Sequence, residues 1–442
     1  MIGTSRMGHT YPGATVPYGM VQVTPQTHYE PFLQPTGAYN PDTYKYCAGY
    51  QYADSTILGF AHTGFSGTGH SDLGDLLVMP TVGRPELGSD ERGAPRFGST
   101  FDHANEHAKA GHYAVRLDRY SIEAEVTATE RVGIHRYRFE EGGDAHIALD
   151  LAYNIYHHPD KNVWTFVRVE NDSTVVGYRQ TTGWARTRLV HFAIRFDRPI
   201  VGYGYERGKA LTYNGFYRRF NESENFPEMA GQDLRAWFDF GSFDAGESLG
   251  MRVALSGVSM DGALLNLETE ALDRGFESYC AQAAALWNEA LALVEIDPLR
   301  EADRTTFYTA LYHSMLSPIV YEDVDGRYRG LDQNIHTADA FKNHTVFSLW
   351  DTYRALHPWI NLTQPERASD LVNSMIAHAQ ESVHGMLPIW SHYANENWCM
   401  IGYHAVSVLA DAAAHGVEGW DRKAGLAAAV ETANVGYFEG ID

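Results

Sequence analysis

Residues 1 to about 255 alternate apolar and polar positions over short segments, which is the pattern of half-buried β-strands. In IEAEVTAT (122–129), for example, Ile122, Ala124 and Val126 alternate with Glu or Thr. Similar runs occur in HIALDLAY, VHFAIRF, LRAWFDF and MRVALSG. Turn residues separate the runs and no helical pattern interrupts them, so this part of the chain is predicted to form a large β-sandwich.

The hydrophobic period changes near Ser256. The stretch DGALLNLETEALDRGFESYCAQAAALWNEALALVEI (261–296) is rich in Leu, Ala and Glu, which favour helix. Gly275 is predicted to divide it into two helices. Apolar residues then recur every three or four positions, so the region from residue 300 onward is predicted to be almost wholly helical. A β-sandwich followed by helix hairpins indicates two stacked domains, the second an α/α barrel with a cleft.

The segment FSLWDTYRALHPW (347–359) is predicted to form one helix with a polar inward stripe. The stripe consists of Phe347, Trp350, Asp351, Arg354 and His357. An acid and a base on a face that should be apolar indicate a ligand pocket. The alternative is a buried Asp351–Arg354 ion pair that holds two helices together, at a cost in desolvation.

A second polar stretch, GYQYADSTILGFAHTGFSGTGHSDLGDLLVMP (49–80), predicts a strand, a Gly-rich loop and another strand. Its small residues let the backbone approach a ligand closely. Donors and acceptors come from His62, Thr63, Ser66 and His70. For His62 a ligand-binding role and a structural role both stay open, whereas Asp72 and Asp75 are expected to hold loop N–H groups.

The third stretch, GMLPIWSHYANENWCMIGYHA (385–405), crowds aromatic and polar side chains into a loop that leads to a helix. These are Trp390, Tyr393, Glu396, Asn397, Trp398 and His404. Aromatic rings beside carboxylates and amides suit sugars, because a ring meets the C–H face while the polar groups bind hydroxyls. The alternative is ordinary packing between domains.

Composition narrows the range of partners. The formal net charge is −22, and a strongly acidic surface repels phosphates, so neither nucleic acid nor an anionic membrane is expected as a partner. The three cysteines, Cys47, Cys280 and Cys399, are too far apart to predict a disulfide framework or a zinc site. The first residues lack the apolar segment of a signal peptide, and no run of about 18 apolar residues predicts a membrane span.

Together these stretches resemble glycoside hydrolase family 92, the calcium-dependent α-mannosidases. The resemblance rests on IGTSRMGHTYPGATVPYGMVQVTP, GYQYADSTILGFAHTGFSGTGHSDLGDLLVMPT, EHAKAGHYAVRLDRYSIEAEVTATERVGIHRYRF, SGVSMDGALLNLETE, FYTALYHSMLSP, FSLWDTYRALHP and MLPIWSHYANENWCMIGYHA. It implies a multidomain β-then-α fold: a β-supersandwich (1–255), linker helices (256–298) and the first part of an (α/α)6 barrel (299–442). It also implies hydrolysis of terminal α-linked mannose with inversion, calcium as cofactor, and a mannose-containing oligosaccharide or glycoprotein glycan as substrate.

The resemblance assigns substrate-binding roles to particular residues. Asp351, preceded by Trp350, matches the family's acid that binds mannose hydroxyls in the −1 subsite, and Arg354 shares its stripe. Further pocket residues would be Trp390, Glu396 and Cys399, with the loop residues His62, Thr63 and Ser66 at the rim. Gly64 stands where many members have a second histidine, and Asn397 where threonine is usual.

The family's catalytic acid, its water-activating carboxylates and most of its calcium ligands come from later barrel helices, which are expected beyond Asp442. No catalytic or metal-binding residue is therefore assigned, and this chain alone is expected to be inactive. Helix faces carrying Met375, Val408 and Leu409 are expected to be exposed in a partial barrel. Two alternatives stay open: a non-catalytic carbohydrate-binding protein, and a family variant that cleaves mannosyl-phosphate diesters. Family members are usually secreted or periplasmic.

Overall fold

The computed structural model describes residues 2–27, 30–158, 160–208, 224–271, 274–297 and 300–434. The chain divides into two compact units, and each is described by itself. The first consists of Met1–Gly183, Leu189–Leu255 and Ser259–Leu316. The second consists of Trp184–Arg188, Ser256–Val258 and Ser317–Asp442.

Two sheets form the body of the first unit. The smaller has six strands, in the order Thr24–Gln26, Gly59–Ala61, Leu77–Val82, Gly143–Asp150, Leu234–Phe243 and Gly202–Arg207. The larger has nine, in the order Glu228–Gly231, Asn162–Val169, Thr174–Thr181, Arg188–Phe196, Ser248–Ser256, Val132–Phe139, Ile122–Ala128, His112–Leu117 and Glu106–Lys109. A separate pair of short strands joins Thr56–Ile57 to Ser99–Thr100.

The β-sandwich predicted from the alternation is confirmed. Ile122, Ala124 and Val126 are fully buried on one face of their strand, as their spacing of two requires. Aromatic side chains from the two sheets meet between them, for example the rings of Phe196 and Phe238, whose centroids lie 5.8 Å apart. Four short 3-10 turns interrupt the described β region, at Arg6–Gly8, Pro41–Tyr46, His103–Asn105 and Ile155–His157.

The predicted linker forms two helices, α1 (Met260–Glu270) and α2 (Phe276–Leu291), and Gly275 lies directly before the second, as predicted. Helix α1 begins at Ser259, whose hydroxyl accepts the N–H of Gly262 at 3.0 Å and so satisfies one terminal donor. Apolar side chains of both helices pack on the nine-stranded sheet. A third helix, α3 (Glu301–His313), also belongs to the first unit. The predicted boundary at residue 299 stays a prediction.

The second unit is mainly helical, consistent with part of an α/α barrel. Its helices are α4 (Leu349–Thr352), α5 (Leu356–Thr363), α6 (Pro365–Glu381), α7 (His404–Ala414) and α8 (Arg422–Asn434). Three short antiparallel ladders also occur, so the prediction of an almost wholly helical region is wrong in detail. They pair Ile319–Val320 with His344–Thr345, Arg327–Arg329 with Ile335–Thr337, and Ser391–His392 with Asn395–Glu396. A turn closes the second of these ladders, where the N–H of Gly330 donates to the carbonyl of Asn334.

The expectation that Met375, Val408 and Leu409 would be exposed is also wrong. Their side chains are 0%, 1% and 5% exposed. Helices α5 to α8 pack against one another around these three residues and bury them. In the described part of the chain, no helix is long and apolar enough to cross a membrane.

Candidate functional site

The segment 347–359 does not form the single helix that was predicted. Helix α4 ends at Thr352 and α5 begins at Leu356, with a turn between them. Pro358 lies in the first turn of α5, where its missing N–H costs no hydrogen bond. In a continuous helix its ring would clash with the carbonyl of Arg354. The break therefore follows from Pro358, and it separates the polar residues that the helical stripe was predicted to align.

This break exposes the acid and the base of the predicted stripe. Asp351 and Arg354 are both exposed, Trp350 is half-buried, and Phe347 and His357 are buried. Among the described residues, Asp351 and Arg354 form no ion pair with each other, so the alternative of a buried structural pair is wrong. The hydroxyl of Ser348 donates to Asp351 Oδ2 and orients that carboxylate. The structure thus leaves a positioned, solvent-accessible carboxylate in this turn.

Glu396 organises the loop that carries the third polar stretch. Its Oε2 accepts the backbone N–H of Ile389 at 2.9 Å, and its Oε1 accepts those of Trp390 at 2.8 Å and Trp398 at 3.0 Å. Burial raises the pKa of this carboxyl, and the backbone donors oppose that shift. The side chain is only 8% exposed. These hydrogen bonds give Glu396 a structural role in holding the loop. A direct contact between Glu396 and substrate stays a prediction.

Cys399 connects the two parts of the predicted pocket. Burial raises the pKa of its thiol, and the carboxylates of Asp351 and Glu396 both raise it further. Both acids therefore contribute to the electrostatic surroundings of this thiol. Trp390 is joined to Glu396 through its backbone N–H. Arg354 instead places its guanidinium over the ring of Tyr353.

The turn Trp184–Arg188 was missed by the sequence analysis. It belongs to the second unit, and Trp184 lies against Trp390 with ring centroids 4.4 Å apart. A signal was present, because a tryptophan beside Gly183 between two strands is unusual in a hairpin turn, where small polar residues dominate. No local pattern indicated that this turn would lie beside residues 390–395.

The Gly-rich loop residues lie in the first unit and are mostly enclosed. His62 and Thr63 are fully buried, and Ser66 is half-buried. The Thr63 hydroxyl donates to Asp75 at 2.6 Å and accepts the N–H of Gly74 at 3.1 Å. For His62 the structure favours the structural role that the sequence left open. That the loop forms the rim of the sugar pocket stays a prediction.

The two loop acids are held by buried cations. Asp75 lies 3.3 Å from the guanidinium of Arg179, and Asp72 lies 3.1 Å from the ammonium of Lys161. All four side chains are at most 6% exposed. The backbone N–H of Asp75 also donates to the Thr63 hydroxyl, so the loop is tied internally. These contacts support the structural role expected for both acids.

Gly64 leaves no space for the histidine that many family members carry at this position. A Cβ atom added there would lie 2.9 Å from the ring of Tyr11 and 3.1 Å from the methyl group of Thr24. Such contacts are closer than normal packing allows. Glycine at this position therefore lets the Tyr11 ring approach the loop closely.

The residues present do not provide a calcium site by themselves. No group of three or more His, Cys, Asp or Glu side chains in the described ranges could hold a metal ion. Calcium takes six to eight oxygen ligands, which a single exposed carboxylate such as Asp351 cannot supply.

Two family models together match nearly the whole chain. Residues 1–256 match the glycosyl hydrolase family 92 N-terminal domain, and residues 262–440 match the glycosyl hydrolase family 92 catalytic domain. A curated relative from Arthroderma benhamiae, described as an uncharacterized secreted glycosidase, is 24% identical over 358 residues. That alignment covers 73% of this chain and 41% of the relative.

Solved structures give the same family. A family GH92 α-mannosidase from Bacteroides thetaiotaomicron is 39% identical and superposes with a TM-score of 0.89, covering 100% of this chain and 57% of that one. The same mannosidase has also been solved in complex with mannoimidazole. An inverting GH92 mannosidase from the same species is 26% identical, with a TM-score of 0.78, over 96% of this chain and 53% of that one. The chain therefore spans little more than half of these solved relatives.

Proposed function

Because this chain belongs to glycosyl hydrolase family 92, we propose that the protein hydrolyses terminal α-linked mannose with inversion and that this chain supplies the sugar-binding part of the active site. The observation that carries the proposal is the exposed carboxylate of Asp351, which Ser348 orients, in the same unit as the aromatic loop that Glu396 holds. The α-mannosidase of known structure at 39% identity supports mannose as the sugar.

Each residue of the sugar-binding group has a proposed task. Asp351 accepts hydrogen bonds from mannose hydroxyls, because it is exposed and held in orientation by Ser348. Glu396 is a positioning residue, since its oxygens hold the backbone from Ile389 to Trp398. Cys399, whose thiol both acids influence, contributes packing to the pocket wall. Trp350, which is half-buried next to Asp351, offers an apolar surface for the sugar.

An inverting glycosidase needs one carboxylic acid to protonate the leaving oxygen and one carboxylate to activate water, about 6.5–9.5 Å apart. We assign neither role to a residue of this chain, because Asp351 is exposed and Glu396 is occupied by backbone donors. The described residues do not fit calcium by themselves, and no step is derived through a metal. The acid, the base and the metal ligands are proposed to lie beyond Asp442.

The test compares the 442-residue chain with the product of the complete open reading frame, with and without calcium. Both are incubated with an aryl α-mannoside and α-linked mannobioses, and the anomer released first is identified by proton NMR. We expect β-mannose to appear first from the complete product and no hydrolysis by the chain alone. Calcium-dependent hydrolysis by the chain of confirmed mass would overturn the assignment of the catalytic pair.

The same experiment separates the alternatives. Binding of methyl α-mannoside without hydrolysis by either protein would favour a non-catalytic carbohydrate-binding protein. Release of mannose from a mannosyl-phosphate diester, without hydrolysis of mannobioses, would favour the phosphodiester variant, whose leaving group needs little protonation. Failure of every α-mannoside to bind would contradict all three functions.

A further inference from the structure

The turn Trp184–Arg188 is fixed against the loop that carries Glu396. The side-chain amide of Asn395 donates to the carbonyl of Thr187 at 2.7 Å and accepts the N–H of the same residue at 3.2 Å. The guanidinium of Arg188 lies over the ring of Tyr393, 5.6 Å from its centroid. Two hydrogen bonds between the Asn395 side chain and the Thr187 backbone, together with a cation–π contact, therefore attach this turn to the loop. All of these residues belong to the second unit.

This arrangement covers Trp390, one of the aromatic residues that the sequence analysis expected in the sugar pocket. Trp390 is only 3% exposed and His392 is fully buried. Trp184 covers Trp390 at 4.4 Å, with the ring planes tilted by 49°. Trp184, Trp390 and His392 form a cluster of three rings. Of these three, only Trp184 is half-buried and keeps substantial accessible surface. A pyranose that approaches the cluster meets Trp184 before it can meet Trp390.

We propose that Trp184, and not Trp390, stacks on a pyranose ring of the substrate, in addition to the surface offered by Trp350, and that Asn395 positions the turn that carries Trp184; this inference rests on the proposed function. The indole face presents the apolar surface that the C–H face of a pyranose requires. The ring already packs against Trp390, which limits the side-chain entropy that is lost when the sugar binds. Trp184 is connected to the sugar-binding group through Trp390, whose N–H donates to Glu396.

The experiment measures binding and accessibility in the same protein. Methyl α-mannoside is titrated by calorimetry into the wild type, Trp184→Ala, Trp184→Phe and the control Thr187→Ala. The control changes an exposed side chain of the same turn and keeps the backbone bonds to Asn395. We expect about tenfold weaker binding for Trp184→Ala, equal to ~1.4 kcal/mol. Trp184→Phe should show a smaller loss and Thr187→Ala none. Thermal unfolding of each variant identifies any loss that comes from folding.

A second readout does not depend on any substitution. N-bromosuccinimide oxidises accessible indoles, and the modified residues are identified by peptide mass spectrometry. We expect saturating methyl α-mannoside to protect Trp184 by about fivefold or more. Trp390 should stay unmodified with or without sugar, because it is buried. Trp164, half-buried on a strand of the first unit, should be oxidised equally in both samples.

The outcomes separate this inference from the proposed function. If the wild type binds methyl α-mannoside while Trp184→Ala binds equally well and Trp184 gains no protection, the inference is overturned and the proposed function stands. If methyl α-mannoside does not bind but methyl α-glucoside or methyl β-galactoside protects Trp184, the stacking role stands and mannose as the sugar is overturned. If none of the three glycosides binds or protects, both are overturned.

Discussion

The Nε2 atoms of His62 and His135 lie 3.0 Å apart in the interior of the first unit. The Nδ1 of His62 lies 2.8 Å from the carbonyl of Leu76, and the Nδ1 of His135 lies 2.8 Å from the hydroxyl of Tyr137. This network is satisfied when both rings are neutral: Tyr137 donates to His135, His135 donates to His62, and His62 donates to Leu76. Protonation of His62 would place two donors opposite each other.

The histidine pair predicts loss of stability in acid. Burial lowers the pKa of His62 to about 4 and holds the pKa of His135 well below its ordinary value. In the unfolded chain both rings titrate near about 6.5, so the unfolded state takes up protons first as the pH falls. The contribution of the two neutral rings to the free energy of unfolding is therefore fully present above about pH 6.5. It is lost as the pH falls to about pH 4. We expect His62 alone to account for about 3 kcal/mol of this loss, measured by urea unfolding at pH 7 and pH 4.

Two variants isolate the contribution of the pair. His62→Asn should lower stability at pH 7 and flatten its decline between pH 7 and pH 4. His107→Asn, at an exposed position of the edge strand Glu106–Lys109, should keep the steep decline. A decline in His62→Asn as steep as in the wild type would show that other groups cause it.

The ion pair between Asp75 and Arg179 predicts a large effect on stability. Both side chains are 1% exposed, so Asp75→Ala leaves a buried guanidinium without its carboxylate. We expect a loss of about 3–5 kcal/mol in the free energy of unfolding. The matched control is Asp118→Ala, because the pair of Asp118 and Arg116 is about one-third exposed and should contribute less than about 1 kcal/mol. Denaturant titration of both variants checks the difference, and equal losses would contradict it.

Substitution of Asp351 is expected to lower activity and to leave stability nearly unchanged. In the complete protein, Asp351→Ala should lower kcat/KM on an α-mannoside by about 10²-fold or more, because a charged partner of a substrate hydroxyl is lost. The melting temperature should change little, since the side chain is exposed. Glu418→Ala removes another exposed carboxylate of the second unit and should leave both quantities unchanged. An Asp351→Ala enzyme of normal kcat/KM would remove Asp351 from the sugar site.

The tight packing at Gly64 predicts that a single methyl group is costly. In Gly64→Ala the new Cβ would lie 2.9 Å from the Tyr11 ring. We expect a loss of about 1–3 kcal/mol in the free energy of unfolding, as for other overpacked sites. At Gly88 the nearest neighbour of an added Cβ lies 3.9 Å away, so Gly88→Ala should be close to neutral. Similar stabilities for the two variants would contradict the close approach of Tyr11 and Gly64.

Local patterns were sufficient for many elements of the fold, although not for the short ladders between residues 319 and 396. The alternation of Ile122, Ala124 and Val126 predicted its strand, and Gly275 predicted the break between two helices. Both signals act between residues close in the chain, where backbone geometry determines which side chains share a face. Pro358 is a local signal too, because a proline inside a helical pattern indicates a break such as the one before α5.

These local patterns do not predict contacts between residues that are distant in the chain. Whether His62 binds a ligand or belongs to the core depended on His135, which is 73 residues away in the chain. The turn that carries Trp184 is bound at Thr187 by Asn395, which is 208 residues away in the chain. The sequence by itself therefore determined the order of strands and helices, the family, and the acids and aromatics available for binding a sugar. Only the tertiary structure decided that Asp351 is exposed while Trp390 is covered, because burial depends on which distant segments pack together.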